Sequence, residues 1–459
     1  MSLPIRPVSD EFREARLGDA RLTHRLMELS DELASHPNLS LPQAFGTDEA
    51  GLDGAYLFFG NQKVTPEGIL ASHWGHSVAR AAEHQVIYAA HDTTEIHHLC
   101  SGLTLYLHLC LGVGTQTVED ELVGVLGAEF NQRLAKKPKR DSKARKQDPE
   151  RESLRWGRLV LAVEARAQGK TSIIHVMDRE ADIYELLAML VEKKIRFIIR
   201  VKANRACQGE SGDREFLFPI LSQATGQVTR TVPLSRRAKP WSPKDAQTHP
   251  EREMREATLS YAAQRVTIFK PLSAQDPNLP PSLTLNYVHV WEPNPPPGVT
   301  AVDWKLVTSE PIGTPEEIIA VVDGYRKRWR IEELNKGLKT GCGVEKTQLE
   351  GKPNVLKHVA VSLVIAWRML RLRNLERTCP NAPASEALSP LELEVLRAMT
   401  RRPMSAVPTA REALWAMASL GGHLKRNGPP GWLTLMRGYS RLLDHVAGWR
   451  AARGNVRNL

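Results

Sequence analysis

Residues 325–341 read YRKRWRIEELNKGLKTG and set cations densely around two carboxylates. Arg326, Lys327, Arg328, Arg330, Lys336 and Lys339 surround Glu332 and Glu333. Read as one α-helix of about 3.6 residues per turn, Tyr325, Glu332 and Lys339 fall in one line. Arg328 and Lys336, four residues either side of Glu332, join that stripe. Ile331, Leu334 and Leu338 form a separate face that can pack on a core. Glu333 is rotated away, toward Arg330. Exposed i,i+4 ion pairs account for such a helix at roughly 0.3 kcal/mol each. The stripe, however, holds more cations than one carboxylate needs, and it adds Tyr325 with Trp329 beside it. Cations with aromatics suit phosphates and splayed bases. A carboxylate there repels DNA unless a divalent cation intervenes.

That requirement points to Mg²⁺, which takes oxygen ligands and is commonly held by carboxylates together with substrate phosphate. Two such ions serve phosphoryl transfer by assisting the attacking and leaving oxygens. About three carboxylates on rigid elements are needed. Two further candidates stand where predicted strands end. Residues 86–90 form a short apolar strand ending at His91 and Asp92. Residues 173–177 form a buried strand ending at Asp178, followed by a helix over 181–193 and a strand over 196–201. This is a strand–helix–strand unit, with Asp178 at the carboxyl end where sites form in open α/β sheets.

Other elements frame these. Leu22, Leu26, Leu29 and Leu33 line one helix face, which Asp19 is placed to cap. Arg21 and Arg25 occupy a different face, as on a DNA-binding helical module. Strands are expected over 103–111 and near 123–126. The run RLAKKPKRDSKARK, residues 133–146, holds eight basic residues and one Asp and reads as a loop able to grip phosphates. From about 206 to 300, alternating stretches between Pro-rich breakers predict an inserted, mainly β segment. A strand at 305–308 follows, and from Pro315 onward the chain reads as largely helical.

The chain has 459 residues, enough for two or three domains, with 62 basic and 52 acidic residues and a net charge of +10. That balance favours an anionic partner, nucleic acid first. The five cysteines form no C-x-x-C pair, which argues against a zinc knuckle or a disulfide framework. His97, His98 and Cys100 read as ordinary loop residues. No signal pattern or membrane-length apolar run is present, so a cytoplasmic protein with no membrane partner is expected.

The spacing Tyr, two residues, Arg, three residues, Glu, six residues, Lys is met by Tyr325, Arg328, Glu332 and Lys339. In this the chain resembles the DDE cut-and-paste transposases of bacterial insertion sequences, specifically the insertion-sequence-four group. HDTTEI around Asp92 and VMDREADIYELL around Asp178 look like that family's first and second Asp segments. AYLFFGN and LGGHLKRNGPPGW also look like family segments, although Leu57 stands where close relatives often carry a basic residue.

The resemblance implies an α/β fold: an RNase H-like catalytic core over 81–375 with a β insertion at about 206–300. It implies a helical end-binding domain over 1–80 and a helical dimerisation domain over 376–459. Asp92, Asp178 and Glu332 would be the metal-binding triad for two Mg²⁺, with Mn²⁺ as a substitute. Trp304 matches the tryptophan that stacks on a flipped base near a DNA hairpin. Tyr325, Arg328, Trp329, Lys336, Lys339 and Arg200 would contact the strained DNA, and Arg21 and Arg25 the transposon end. The implied partners are double-stranded DNA (terminal inverted repeats and target) and a second copy of the chain in a synaptic complex near the nucleoid. Two alternatives stay open: an RNase H-like nuclease that cleaves without joining, and a non-catalytic DNA-binding repressor of transposition.

Overall fold

The computed structural model describes residues 7–115, 120–132, 152–209, 211–237, 251–400 and 403–455. The chain falls into two units, one of Met1–Gln147, Arg158–Ser172 and Trp329–Leu459, the other of Asp148–Gly157 and Ile173–Arg328.

The first unit begins with a 3₁₀ turn, Val8–Phe12, and four helices: α1 (Ala20–Ser35), α2 (Leu41–Phe45), α3 (Glu49–Gly60) and α4 (Pro66–Ala81). Asp19 caps α1 as expected, its carboxylate accepting from the Arg21 amide at 2.9 Å. Leu26, Leu29 and Leu33 are buried beneath it. Thr65 caps α4 the same way, with Pro66 in the first turn, where a missing N–H costs nothing. Three antiparallel strands follow: β1 (Val86–His98), β2 (Leu103–Gly114) and β3 (Glu121–Gln132). One hydrophobic core joins Leu26, Phe58 and Trp74 of the helices to Leu107 and Leu109 of β2 and to residues from the C-terminal part of the chain.

Polar contacts are buried within this packing. Glu11 lies 2.6 Å from His73 Nδ1 and accepts from Arg80 Nη1 at 2.7 Å, while Arg80 Nε donates to the Val123 carbonyl. Burial alone would raise the Glu11 carboxyl; hydrogen bonds from His73 and His76 and the Arg80 charge instead hold it well below the usual range.

The second unit is built on one mixed sheet. Its strands are β4 (Ser172–Met177), β5 (Arg196–Arg200), β6 (Ala206–Gln208), β7 (Arg214–Phe216), β8 (Val228–Leu234), β9 (Arg255–Phe269), β10 (Ser282–Trp291) and β11 (Asp303–Thr308). Their order is β4-β5-β11-β10-β9-β6-β7, with β8 also paired to β9. In sequence, α5 (Arg155–Ala167) precedes β4. β4 and β5 are parallel, Ile174 facing Arg196, and α6 (Tyr184–Glu192) makes the crossover. α7 (Leu217–Gln223) and α8 (Pro315–Arg326) complete the unit, α8 opening on a Thr314/Glu317 capping box. The expected β insertion is therefore mainly β, and its strands β9 and β10 extend the same sheet beyond β11.

The chain then continues through α9 (Trp329–Lys336) and a π-turn at Gly337–Gly341 to α10 (Lys352–Thr378), α11 (Pro390–Met399), α12 (Ala410–Leu420) and α13 (Trp432–Asn455). α10 is buried along most of its length. From it, Lys357 Nζ donates to the carbonyls of Phe59 (2.7 Å) and Asn61 (2.8 Å), closing the C-terminal end of α3. Such orphan carbonyls need a donor once water is excluded.

Three expectations change. Asp92 does not end a strand: β1 runs on through Thr93, Thr94 and Ile96, so Asp92 lies mid-strand, facing Leu109 of β2. The helix over 181–193 begins later, after a 3₁₀ turn at Arg179–Ala181. The cationic stretch is not one helix: α8 ends at Arg326, Lys327 and Arg328 form a turn, and α9 restarts at Trp329. The π-turn then shifts the phase again before Lys339, so no single stripe joins Tyr325, Glu332 and Lys339. The basic run 133–146 lies outside the described residues.

Candidate functional site

In the first unit, Asp92 rises from the β1 face that also carries Ala90, Thr94 and Ile96, because side chains alternate along a strand. α9 packs across β1 and β2. Ile331, Leu334 and Leu338 are wholly buried and fix the helix against the core, leaving Glu332 half-buried. One turn on, Asn335 Nδ2 donates to Asp92 Oδ2 at 2.8 Å. The strand that carries Asp92 and the helix that carries Glu332 are thus joined by a side-chain hydrogen bond. Asn335 is a residue that the sequence did not single out.

The adjacent glutamate is otherwise engaged. Glu333 accepts from Arg330 Nη1 at 2.8 Å and from Arg373 Nη1 at 3.2 Å. Arg330 also bonds Asp120 through Nε at 3.0 Å. The expectation that Glu333 turns toward Arg330 holds, and its charge is matched by protein cations. Lys336 is exposed and Lys339 half-buried, while Trp329 is 60% exposed.

In the second unit, Asp178 stands at the end of β4, as expected, and caps the following turn by accepting from the Glu180 amide at 2.8 Å. Four residues on, Asp182 is buried and accepts from the amides of Lys202 (2.7 Å) and Ala203 (2.8 Å) and from Arg205. That carboxylate is fully used in holding the chain after β5.

Trp304 on β11 meets Tyr325 edge to face, ring centroids 5.9 Å apart, and the Arg200 guanidinium lies 5.7 Å from its ring centre. Tyr325 is only 6% exposed. Burial pushes its phenol upward, while the charges of Arg328 and Arg200 partly oppose the shift. Arg179, Arg200, Lys202 and Lys305 line a cleft of about 220 Å³ with Phe218 and Asp303. His289 and Lys305 hold the Asp303 carboxyl well below its usual range, so it stays ionised beside Lys305. Four cations against one acid suit an anionic ligand. Arg179, Lys202 and Lys305 were not read from the sequence, since only sheet topology gathers them.

On the N-terminal helices, Arg21 is extended into solvent and paired with Asp19 at 2.8 Å, holding that carboxyl down at about 2. Arg25 reaches Glu28 at 3.2 Å and lies across Gly54, where a Cβ would stand 2.7 Å from its guanidinium. Exposed pairs of this kind contribute little and exchange readily for phosphate. Leu57 is 76% exposed.

Asp92, Asp178 and Glu332 offer oxygen donors only, the set that suits Mg²⁺ rather than a soft metal. Asp92 already accepts a hydrogen bond from a buried amide, as ligating carboxylates do. Among the described residues, no three His, Cys, Asp or Glu side chains form a ready-made metal cluster. No helix among them is long and apolar enough to cross a membrane.

Compared with known families, the chain matches the model of a transposase DNA-binding segment over residues 7–64. It matches the model of a transposase DDE domain over residues 151–367. The first match contains Arg21 and Arg25. The second contains Asp178, Trp304, Tyr325, Arg328, Glu332 and Lys339, and Asp92 precedes it. The two matches together support a DNA transposase of the DDE type, and DDE transposase domains generally depend on a divalent metal.

Proposed function

We propose that this chain is a cut-and-paste DNA transposase of the insertion-sequence-four group, which binds terminal inverted repeats as a homodimer. Residues 81–375 serve as the RNase H-like core, with 1–80 binding the ends and 376–459 dimerising. The observation that carries the reading is the Asn335–Asp92 hydrogen bond, which joins β1 to the helix bearing Glu332 in a chain that matches a DDE domain.

Asp92, Asp178 and Glu332 would hold two Mg²⁺, or Mn²⁺ in their place, which when bound assist the attacking and leaving oxygens of phosphoryl transfer. In the reaction proposed, water cleaves one strand at a transposon end and leaves a 3′-hydroxyl. That hydroxyl attacks the opposite strand, releasing flanking DNA and closing a hairpin, which water reopens. The same 3′-hydroxyl then attacks target DNA. In each step an attacking oxygen, from water or from the 3′-hydroxyl, replaces the leaving oxygen on phosphorus, and none needs a protein–DNA bond. Tyr325, expected as a DNA contact and not as a nucleophile, is only 6% exposed and packs against Trp304, so its part in this reading is to back that ring. Arg200 and Arg328 place positive charge beside it. Trp304 offers a ring on which an unpaired base stacks. Arg21 and Arg25 offer phosphate contacts on the end duplex.

The test is a DNA fragment carrying the flanking ends, incubated with purified protein and Mg²⁺ and with a chelator control. Nicks, hairpins and insertion of pre-cut ends into a plasmid are expected. Cleavage without insertion identifies a nuclease instead, and binding without metal-dependent cleavage identifies a repressor.

A further inference from the structure

The most unusual polar side chain in the first unit is Asn335. It is 7% exposed and sits in the last turn of α9, between the buried Leu334 and the exposed Lys336. Asparagine is a poor helix former, because its amide competes with the backbone. Nothing in the helix compensates for that choice. The side-chain Nδ2 bonds Asp92 Oδ2 at 2.8 Å, while the buried Oδ1 accepts no hydrogen bond among the described residues. Leaving a buried amide half-satisfied is unfavourable. A leucine in its place would continue the apolar face of α9.

The one contact that Asn335 makes is directional. A carboxylate offers about four lone-pair sites. A donor fixed at one site of Oδ2 limits rotation of the carboxylate. Both ends of the contact stand on rigid elements, β1 being paired through Asp92 to Leu109 and α9 being anchored by Ile331 and Leu334. We infer that Asn335 is a positioning residue, which sets the Asp92 carboxylate for a divalent cation without itself ligating it. The inference rests on the assignment of Asp92 to the triad proposed above.

Full-length protein with Asn335→Ala and Asn335→Leu is titrated with Mn²⁺, the free ion being counted by electron paramagnetic resonance. Circular dichroism and binding to an end duplex serve as fold controls. Loss of an outer hydrogen bond of this kind weakens metal binding roughly 10- to 100-fold. Both variants are expected to show that loss with end binding unchanged. Asn335→Leu keeps the bulk and removes the donor without adding a charge, so it carries the test should the alanine variant lose its fold. Mn²⁺ affinity within twofold of wild type in the folded variants overturns the inference. Asp92→Asn separates the two readings. If it loses Mn²⁺ while Asn335→Ala does not, only the positioning role falls. If it binds as wild type, the triad falls and this inference with it.

Discussion

Trp304 and Tyr325 meet edge to face, with their planes at 67°. The tyrosine is buried and the tryptophan half-buried, so the indole is backed by the phenol while remaining partly exposed. Trp304→Ala is expected to reduce hairpin formation by roughly 5- to 150-fold, the equivalent of about 1–3 kcal/mol for one stacked base. First-strand nicking should change far less. Trp304→Phe keeps a ring against Tyr325 and should recover part of the loss. Gel analysis of nicked and hairpin products checks this, and equal loss of both products would count against stacking.

Glu332→Gln is expected to lower cleavage on the order of 10³-fold, since several kcal/mol of transition-state stabilisation depend on a metal-holding carboxylate. End binding should persist. Glu333→Gln should cleave normally per folded molecule, because its carboxylate is engaged by Arg330 and Arg373. It should lose about 1 kcal/mol of stability in urea unfolding. Normal cleavage by Glu332→Gln would remove it from the triad.

Tyr325→Phe should form no less product than wild type beyond about tenfold, and wild-type protein should never carry covalently attached DNA. Because burial raises the Tyr325 phenol, it stays protonated above the usual value of about 10. A group raised on folding contributes stability below its unfolded pKa and loses it as pH rises through the folded one. Alkaline unfolding should therefore be steeper in wild type than in Tyr325→Phe, as read by tyrosinate absorbance.

Glu11 carries the opposite sign. Its carboxyl is held low in the folded chain, so its contribution is complete above an unfolded pKa of about 4.3 and fades as pH falls. Stability measured between about pH 6 and pH 3 should drop less in Glu11→Gln than in wild type. Parallel pH curves would show that the contacts with His73 and Arg80 are not coupled to folding.

Arg21→Ala should weaken binding to end DNA evenly across sequences. It should lower the slope of log affinity against log salt by about 0.9, the value for one released phosphate contact. An unchanged slope would place Arg21 off the DNA.

Much of this was legible in the sequence, for physical reasons. Asp178 could be placed because an apolar run as compact as SIIHVM must be a buried strand, and a charged triplet ends it. The leucine spacing of α1 and the Pro-rich breaks around β9 and β10 were equally plain. Asp92 was placed at a strand end because HDTTEIHH looks polar, yet its β-branched residues continue the strand and alternate between faces. The turn at Lys327 and Arg328 has no proline or glycine to announce it, so one helix was read where two exist. Nothing in the sequence marks Asn335 as buried; the packing of α9 turns it inward. Of the cleft's cations, Lys305 comes more than a hundred residues after Arg179, Arg200 and Lys202, and spacing alone cannot collect it with them.

The ammonium of Lys357, closing α3 from a helix almost three hundred residues later, would make the proposed end recognition a property of a surface and not of a detachable part. Exchanging specificity between transposons by splicing whole N-terminal segments would leave the Phe59 and Asn61 carbonyls without their donor wherever position 357 differed. Repainting the exposed positions, with Arg21, Arg25 and Leu57 as the first choices, would leave that closure intact.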